Sequence, residues 1–523
     1  MLKTSIAAIA VGLGLGLVAA GAATAAPDQV TVATGALKGV VNGDVVAFKG
    51  IPYAAPPVGE LRWRAPRPAA PWTGVRDAAN FGASCMQIGG PLSAGVDATS
   101  EDCLTLNVWA PAHPAAKKLP VMVWIHGGGF VGGSGSVPLY DGAHFARDGV
   151  IMVSLNYRLG RLGYFAHPAL TREGAGPLGN YWLMDQIAAL KWVQANIAAF
   201  GGDPRNVTIF GESAGGVSVN VLLTSPAATG LFAKVICESG FPRNDMPPIA
   251  RVEQADAAYA KTLGITGDDA AALTALRALP AETLVSFSGG ATTPGALDDA
   301  ARPQPMIDGT LIVERVDDAF RRGHQARIPY MIGGNSWEAG RVANPDAVLS
   351  QAGPDRAKTL ALFGDGDPLK AAYNYVTDSG ATEPDRYVVR EDAKVGVPAY
   401  LYYFSYVPAA YRQVVPGAAH ASEILYVFDN ASPVPVHLGS TSIVLPAATP
   451  EDFAIAKAMH AYWVAFAKTG KPDSAGGPPW AAYNVETDNL VEFGADGVNV
   501  RYHLKQARMD LLGAKAEEAA AKR

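Results

Sequence analysis

The run Val207-Thr208-Ile209-Phe210-Gly211-Glu212-Ser213-Ala214-Gly215-Gly216 constrains this chain more than any other stretch. Four strand-forming residues enter Gly-x-Ser-x-Gly, and a mostly apolar segment, 217–223, continues as a helix. A strand that turns directly into a helix leaves little room beside the turn, so the positions flanking the serine must be glycine. The serine hydroxyl is lifted to the helix N-terminus, where backbone N–H groups lack intrahelical partners and can bind an anion. Pentapeptides of this kind also arise by chance, so the reading depends on what the rest of the chain supplies.

The apolar run 119–125 leads into His126-Gly127-Gly128-Gly129-Phe130. Ordering three consecutive glycines is entropically costly, so a plain turn explains them poorly. Close approach of backbone N–H groups to a ligand explains them better. Residues 150–156 read as a second buried strand. Residues 181–200 read as one helix, with Leu183, Ile187, Leu190, Val193 and Ile197 recurring at three and four and Gly201-Gly202 ending it. Strand, helix, loop, strand, elbow, helix is a βαβ series, which predicts an α/β fold with a mainly parallel central sheet. Further strands are expected at 234–236, 328–332 and 400–404, the last being the final core strand. A helix over 452–468 closes the domain. Short strands at 30–32, 37–41 and 45–48 form an N-terminal antiparallel part, with Asn42-Gly43 as a hairpin turn and 50–59 as a rigid, proline-rich loop. Residues 245–300 read as peripheral helical insertions, and 513–523 as a charged, flexible tail.

With 49% hydrophobic residues over 523 positions, the chain has ample material for a sizeable core. Its formal charge of −6 carries no long run of either sign, which argues against nucleic acid as a partner. Lys3, an uncharged Ala/Gly/Leu/Val run and Ala23-Thr24-Ala25 read as a cleaved export signal over 1–25, rather than a membrane anchor. The expectation is therefore a secreted or periplasmic protein, one domain over 26–512, with no stable membrane association after cleavage. In an oxidising compartment Cys85 and Cys103, 18 positions apart, form a candidate disulfide worth about 3 kcal/mol. Cys237, in an apolar run, reads as a buried free thiol. No Cys or His spacing suggests a metal, and no cofactor is implied.

Taken together, these stretches resemble the type B carboxylesterase family, a branch of the α/β-hydrolases that includes cholinesterases. The likeness runs through 48–66, 100–111, the His126 to Phe130 loop, Asn156-Tyr157-Arg158-Leu159-Gly160, 198–216, 333–340, His420 with Tyr426-Val427-Phe428, and 466–470. It implies an α/β-hydrolase fold and a serine hydrolase that cleaves small carboxylic esters through an acyl-enzyme. By the family pattern Ser213 is the nucleophile, Glu338 the acid and His420 the base, in the chain order such enzymes use. Gly128, Gly129 and Ala214 are the expected oxyanion donors. Ser239 and Glu212 are expected to support the triad without belonging to it.

The chemistry agrees with this assignment. A serine hydroxyl becomes a useful nucleophile when an imidazole takes its proton, and the imidazole needs a carboxylate to fix its tautomer. His420 follows the last predicted sheet strand, whereas His126 is better suited to holding the glycine loop and His460 to helix packing. As acids, Asp308 sits in an ordinary Asp-Gly turn and Glu423 lies too near His420 in sequence. With a histidine base, activity is expected to rise through about pH 6 to 8. Two residues depart from the family, Trp182 in place of a glycine and Trp337 before Glu338. Cholinesterases carry a tryptophan between their first two cysteines, but residues 86–102 here hold no aromatic, which argues against choline esters. The alternatives are a catalytically silent binding protein of the same fold, or a site acting on amides, lactones or polyesters.

Overall fold

The structure, a computed structural model, describes residues 28–523 except 91, 92, 94, 97, 114–116, 175–178, 287–301, 341, 353–355, 431–435, 439, 440, 444–446 and 475. The expected export signal over 1–25 lies outside the described residues.

An eleven-stranded sheet organises the chain. In chain order its strands are β1 (Val40–Asn42), β2 (Val45–Pro52), β3 (Thr105–Pro111), β4 (Leu119–Ile125), β5 (Ile151–Leu155), β6 (Gly202–Glu212), β7 (Lys234–Glu238), β8 (Tyr330–Asn335), β9 (Ala399–Phe404), β10 (Asn489–Gly494) and β11 (Gly497–Tyr502). Across the sheet they run β1-β2-β3-β5-β4-β6-β7-β8-β9-β10-β11. The pairs from β5 to β10 are parallel, whereas the β1, β2, β3 edge and the β10–β11 hairpin are antiparallel. A central parallel strand is covered on both faces, and β4 shows this directly. Val121, Val123 and Ile125 join one apolar cluster while Met122 and Trp124 join the other.

The expected helix over 181–200 is α1 (Tyr181–Asn196) followed by a tight 3-10 turn, Ile197–Phe200, and Gly201 in the left-handed region. The elbow helix is α2 (Ala214–Thr224), packed on β6 and β7. Two helices, α3 (Pro368–Thr377) and α4 (Glu383–Lys394), are joined through a π-helical turn over Asp378–Thr382. The closing helix α5 (Pro450–Thr469) begins with a capping box between Thr449 and Asp452.

Three expectations need correction. Residues 400–404 are not the last core strand, because β10 and β11 extend the sheet beyond them. The proline-rich stretch after Phe48 is still strand as far as Pro52, paired with β3 across a bulge. The segment 513–523 is not a frayed tail but the end of α6 (Gln506–Ala521). Glu517 bridges to Arg243 and Arg321, and Arg523 to Asp317, so ion pairs hold what apolar burial alone would not.

Cys85 and Cys103 form a disulfide with Cα atoms 4.9 Å apart, and Cys237 is a buried free thiol. Among the described residues no helix is long and apolar enough to cross a membrane.

Candidate active site

The elbow is strained where the sequence implied it. Ser213 has φ +56°, unusual for a residue with a side chain, and its N–H donates to the Glu238 carbonyl at 2.9 Å. The glycines are set by contact: a side-chain carbon on Gly215 would lie 2.0 Å from the Ile125 carbonyl oxygen, and one on Gly211 2.5 Å from it. Neither position tolerates even alanine.

Three loops at the carboxyl ends of β6, β8 and β9 bring distant residues together. Ser213 Oγ lies 2.8 Å from His420 Nε2, and His420 Nδ1 lies 2.5 Å from Glu338 Oε2. The other Glu338 oxygen accepts the Ser239 hydroxyl at 2.5 Å and the Asn335 N–H at 2.7 Å. The acid loop and the histidine loop are joined to each other. Trp337 N–H donates to the Ala418 carbonyl at 2.9 Å, Ala418 N–H to Ser336 Oγ at 2.8 Å, and the Asn335 amide to the Ala419 carbonyl at 2.7 Å. Glu338 and His420 are thus held by loops that are bonded to each other, next to Ser213.

The glycine loop faces the elbow. A carbon on Gly127 would lie 2.8 Å from the Glu212 carbonyl oxygen and 3.2 Å from Ser213 Cβ, so the loop backbone passes directly beside the nucleophile candidate. Gly128 and Gly129 adopt φ +108° and +61°, and a carbon on Gly128 would meet the Gly132 carbonyl at 2.2 Å. Ala214 opens α2 directly after Ser213. His126 supports the loop. Its ring stacks on Tyr157 at 4.4 Å, its Nδ1 meets the Gly127 carbonyl at 2.8 Å, and burial pushes its pKa down to about 4. It is a neutral donor, not a base. Trp182 is fully buried beneath the loop, stacked on Tyr164 at 5.3 Å and touching Phe130 at 5.5 Å. Trp337 turns edge-on to Tyr373.

Sequence reasoning missed Gln87, inside the disulfide loop. Its amide donates to the Gly133 carbonyl at 2.8 Å and its oxygen accepts the Gly133 N–H at 2.9 Å, so the Cys85–Cys103 loop grips the far side of the glycine loop. A lone glutamine in a polar loop carries no signal that could have revealed this.

Buried carboxyls surround the imidazole. Glu212 Oε1 lies 3.1 Å from His420 Nε2. Burial pushes Glu212, Glu238 and Glu423 up to about 8. For His420, burial would lower the pKa, but the Glu212 charge and the hydrogen bond to Glu338 outweigh it and raise it to about 10. Imidazole and Glu212 thus compete for a proton, and each favours the other's charged form. Glu423 is engaged by the Asn335 amide rather than by His420, and Asp308 accepts the N–H groups of Thr310, Leu311 and Ile312 in a turn. His460 packs in the core and contacts the Val427 carbonyl.

A mostly parallel sheet with a strained serine at a strand-to-helix turn, an imidazole and a carboxylate in line, and a glycine loop beside them define an α/β-hydrolase with the architecture of a serine hydrolase. Residues 26–359 and 365–512 match the carboxylesterase family. The chain is 38% identical over 484 residues to a fumonisin B1 esterase from Sphingopyxis macrogoltabida, covering 88% of this chain and 85% of that protein. It is 37% identical over 482 residues to a para-nitrobenzyl esterase from Bacillus subtilis, covering 88% and 93%. A solved PNB esterase structure superposes with a TM-score of 0.78 at 34% identity, over 93% of this chain and all of that one. The chain belongs to the carboxylesterase family, and it is a carboxylic-ester hydrolase.

Proposed function

We propose that Ser213, His420 and Glu338 act as nucleophile, general base and orienting acid in ester hydrolysis. Ser213 Oγ attacks the ester carbonyl as His420 Nε2 takes its proton. The tetrahedral oxyanion is received by the N–H groups of Gly128, Gly129 and Ala214, His420 returns the proton to the leaving alcohol, and water releases the acid by the same route. Ser239 steadies the Glu338 oxygen that does not face His420, and Glu212 stabilises the imidazolium that forms beside it. The observation that carries this reading is the unbroken line from Ser213 Oγ through the imidazole to Glu338 at 2.8 and 2.5 Å.

The substrates are small carboxylic esters outside the choline class, with no nucleic-acid partner and no cofactor. The protein works outside the cytoplasm after losing residues 1–25. The Cys85–Cys103 disulfide supports that location, since such bonds persist in oxidising compartments. Hydrolysis of para-nitrophenyl esters of graded acyl length by the protein and by Ser213→Ala tests the reading. Loss of the acyl-enzyme burst and roughly a 10³-fold or greater fall in kcat/KM are expected for the variant. Equal rates for the two proteins would overturn it.

A further inference from the structure

Behind Glu338, on the side away from His420, lies a carboxyl group that the mechanism above does not use. Asp385 is 1% exposed, and neither of its oxygens has a hydrogen-bond partner among the described residues. It stands in the first turn of α4, directly after the π-helical turn Asp378–Thr382. Such turns insert an extra residue into a helix and often mark functional sites. Here the turn lets one helical segment hold the acid loop at two points. At its start the Thr377 hydroxyl accepts the backbone N–H groups of Glu338 and Ala339 at 3.1 and 3.2 Å. At its end Asp385 faces the Glu338 side chain across Gly334: a carbon added to Gly334 would sit 3.0 Å from Glu338 Oε1 and 3.4 Å from Asp385 Oδ2.

Two carboxyls at one buried site do not both ionise, and the donors decide which one carries the charge. Glu338 receives Ser239 Oγ, the Asn335 N–H and His420 Nδ1. Asp385 receives none, and the charged groups acting on it most strongly are the acidic Glu338 and Glu383. The neighbouring Tyr402 hydroxyl is likewise buried and without a partner among the described residues. We infer that Asp385 is a positioning residue, a neutral carboxylic acid whose uncommitted O–H backs the Glu338 carboxylate and keeps its charge directed at His420. Burial and the Glu338 charge both push the Asp385 pKa well above the usual carboxylate range, consistent with an acid that keeps its proton.

The inference rests on the triad reading, and the test separates the two. Asp385→Asn keeps a neutral donor of the same shape, Asp385→Leu keeps the branched outline at greater bulk without the donor, and Gly334→Ala places a methyl between the carboxyls. Burst titration with para-nitrophenyl butyrate counts working serines in each variant, so a failure here leaves the Ser213 assignment standing. Per working serine, Asp385→Asn should hold kcat within about threefold and leave the acid limb of the pH profile in place. Asp385→Leu and Gly334→Ala should each lower kcat about tenfold with KM unchanged, as expected for a lost transition-state interaction. A downward shift of the Asp385→Asn limb by about one pH unit would mean that Asp385 is ionised in the parent, and would overturn the inference. So would equal losses in Asp385→Asn and Asp385→Leu, or an unchanged kcat in Asp385→Leu. If Asp385→Leu does not fold, Gly334→Ala decides: full kcat in that variant refutes the role.

Discussion

Replacing Glu212 by glutamine removes the carboxyl group beside His420 Nε2 while preserving shape. At the 3.1 Å separation from His420 Nε2, two unit charges in an effective dielectric near 20 attract by about 5 kcal/mol, enough to raise the imidazole pKa by roughly four. Two features reduce that figure. A third of the His420 side chain is open to solvent, which screens the pair, and Glu212 itself resists ionisation because burial raises it to about 8. A net effect of about 1–2 pH units remains. The sign follows from the mechanism. The base must be neutral, and Glu212 favours its protonated form, so the parent loses activity as pH falls through a value raised above 6.5. In Glu212→Gln the acid limb should therefore move down by about 1–2 pH units. Plateau kcat/KM should fall about tenfold, because the imidazolium formed in the transition state loses its neighbour. Measuring kcat/KM for para-nitrophenyl butyrate from about pH 5 to 10 reads both. A limb that stays in place, or moves up, refutes this account of the site's electrostatics.

Ser239→Ala removes the 2.5 Å hydrogen bond to Glu338 and should cost about 1–3 kcal/mol of transition-state stabilisation, seen as a roughly tenfold or greater fall in kcat with KM little changed. Gln87→Ala should lower kcat several-fold with little change in the denaturation midpoint, because it frees the glycine loop without opening the core; unchanged kcat would deny the loop-gripping role. Replacing Cys85 and Cys103 together by serine should cost about 3 kcal/mol of stability in urea unfolding, the entropy of releasing the loop that they close. Gly128→Ala should lower kcat by about 10²–10³, since the added carbon would strike the Gly132 carbonyl and displace a donor; retention of full activity would remove Gly128 from the oxyanion site.

The strands that carry the site are legible because the chain is most regular there. Val121 to Ile125 is an apolar run leading through His126 into three glycines, and Val207 to Phe210 a mostly apolar run ending at Gly211; buried parallel strands have little freedom to look otherwise. The edge hairpin escapes a reading by pattern although Asp496-Gly497 is a turn signal, because β11 is only partly buried and its Arg501 pairs with Glu492 across the strands rather than filling a core. The end of α6 is hidden for a related reason: its last turns are held by ion pairs with Arg243, Arg321 and Asp317, partners that lie far away in sequence. In the site, the motif reveals Ser213 and the glycines, and the family pattern supplies Glu338 and His420. Gln87, Asn335, Thr377 and Asp385 matter chiefly through neighbours far away in sequence, and no local pattern encodes such neighbours.

The order of the strands has a consequence in time. From β6 onward each new strand is laid down beside the one before it, so β7, β8, β9, β10 and β11 extend the sheet outward in the order in which they leave the ribosome. The elbow can form once β6 and α2 exist, yet its base follows 207 residues later. Closing that distance is the longest loop closure within the proposed triad and so the entropically most expensive. On the proposed mechanism, a chain cut short of His420 holds the elbow but lacks its base.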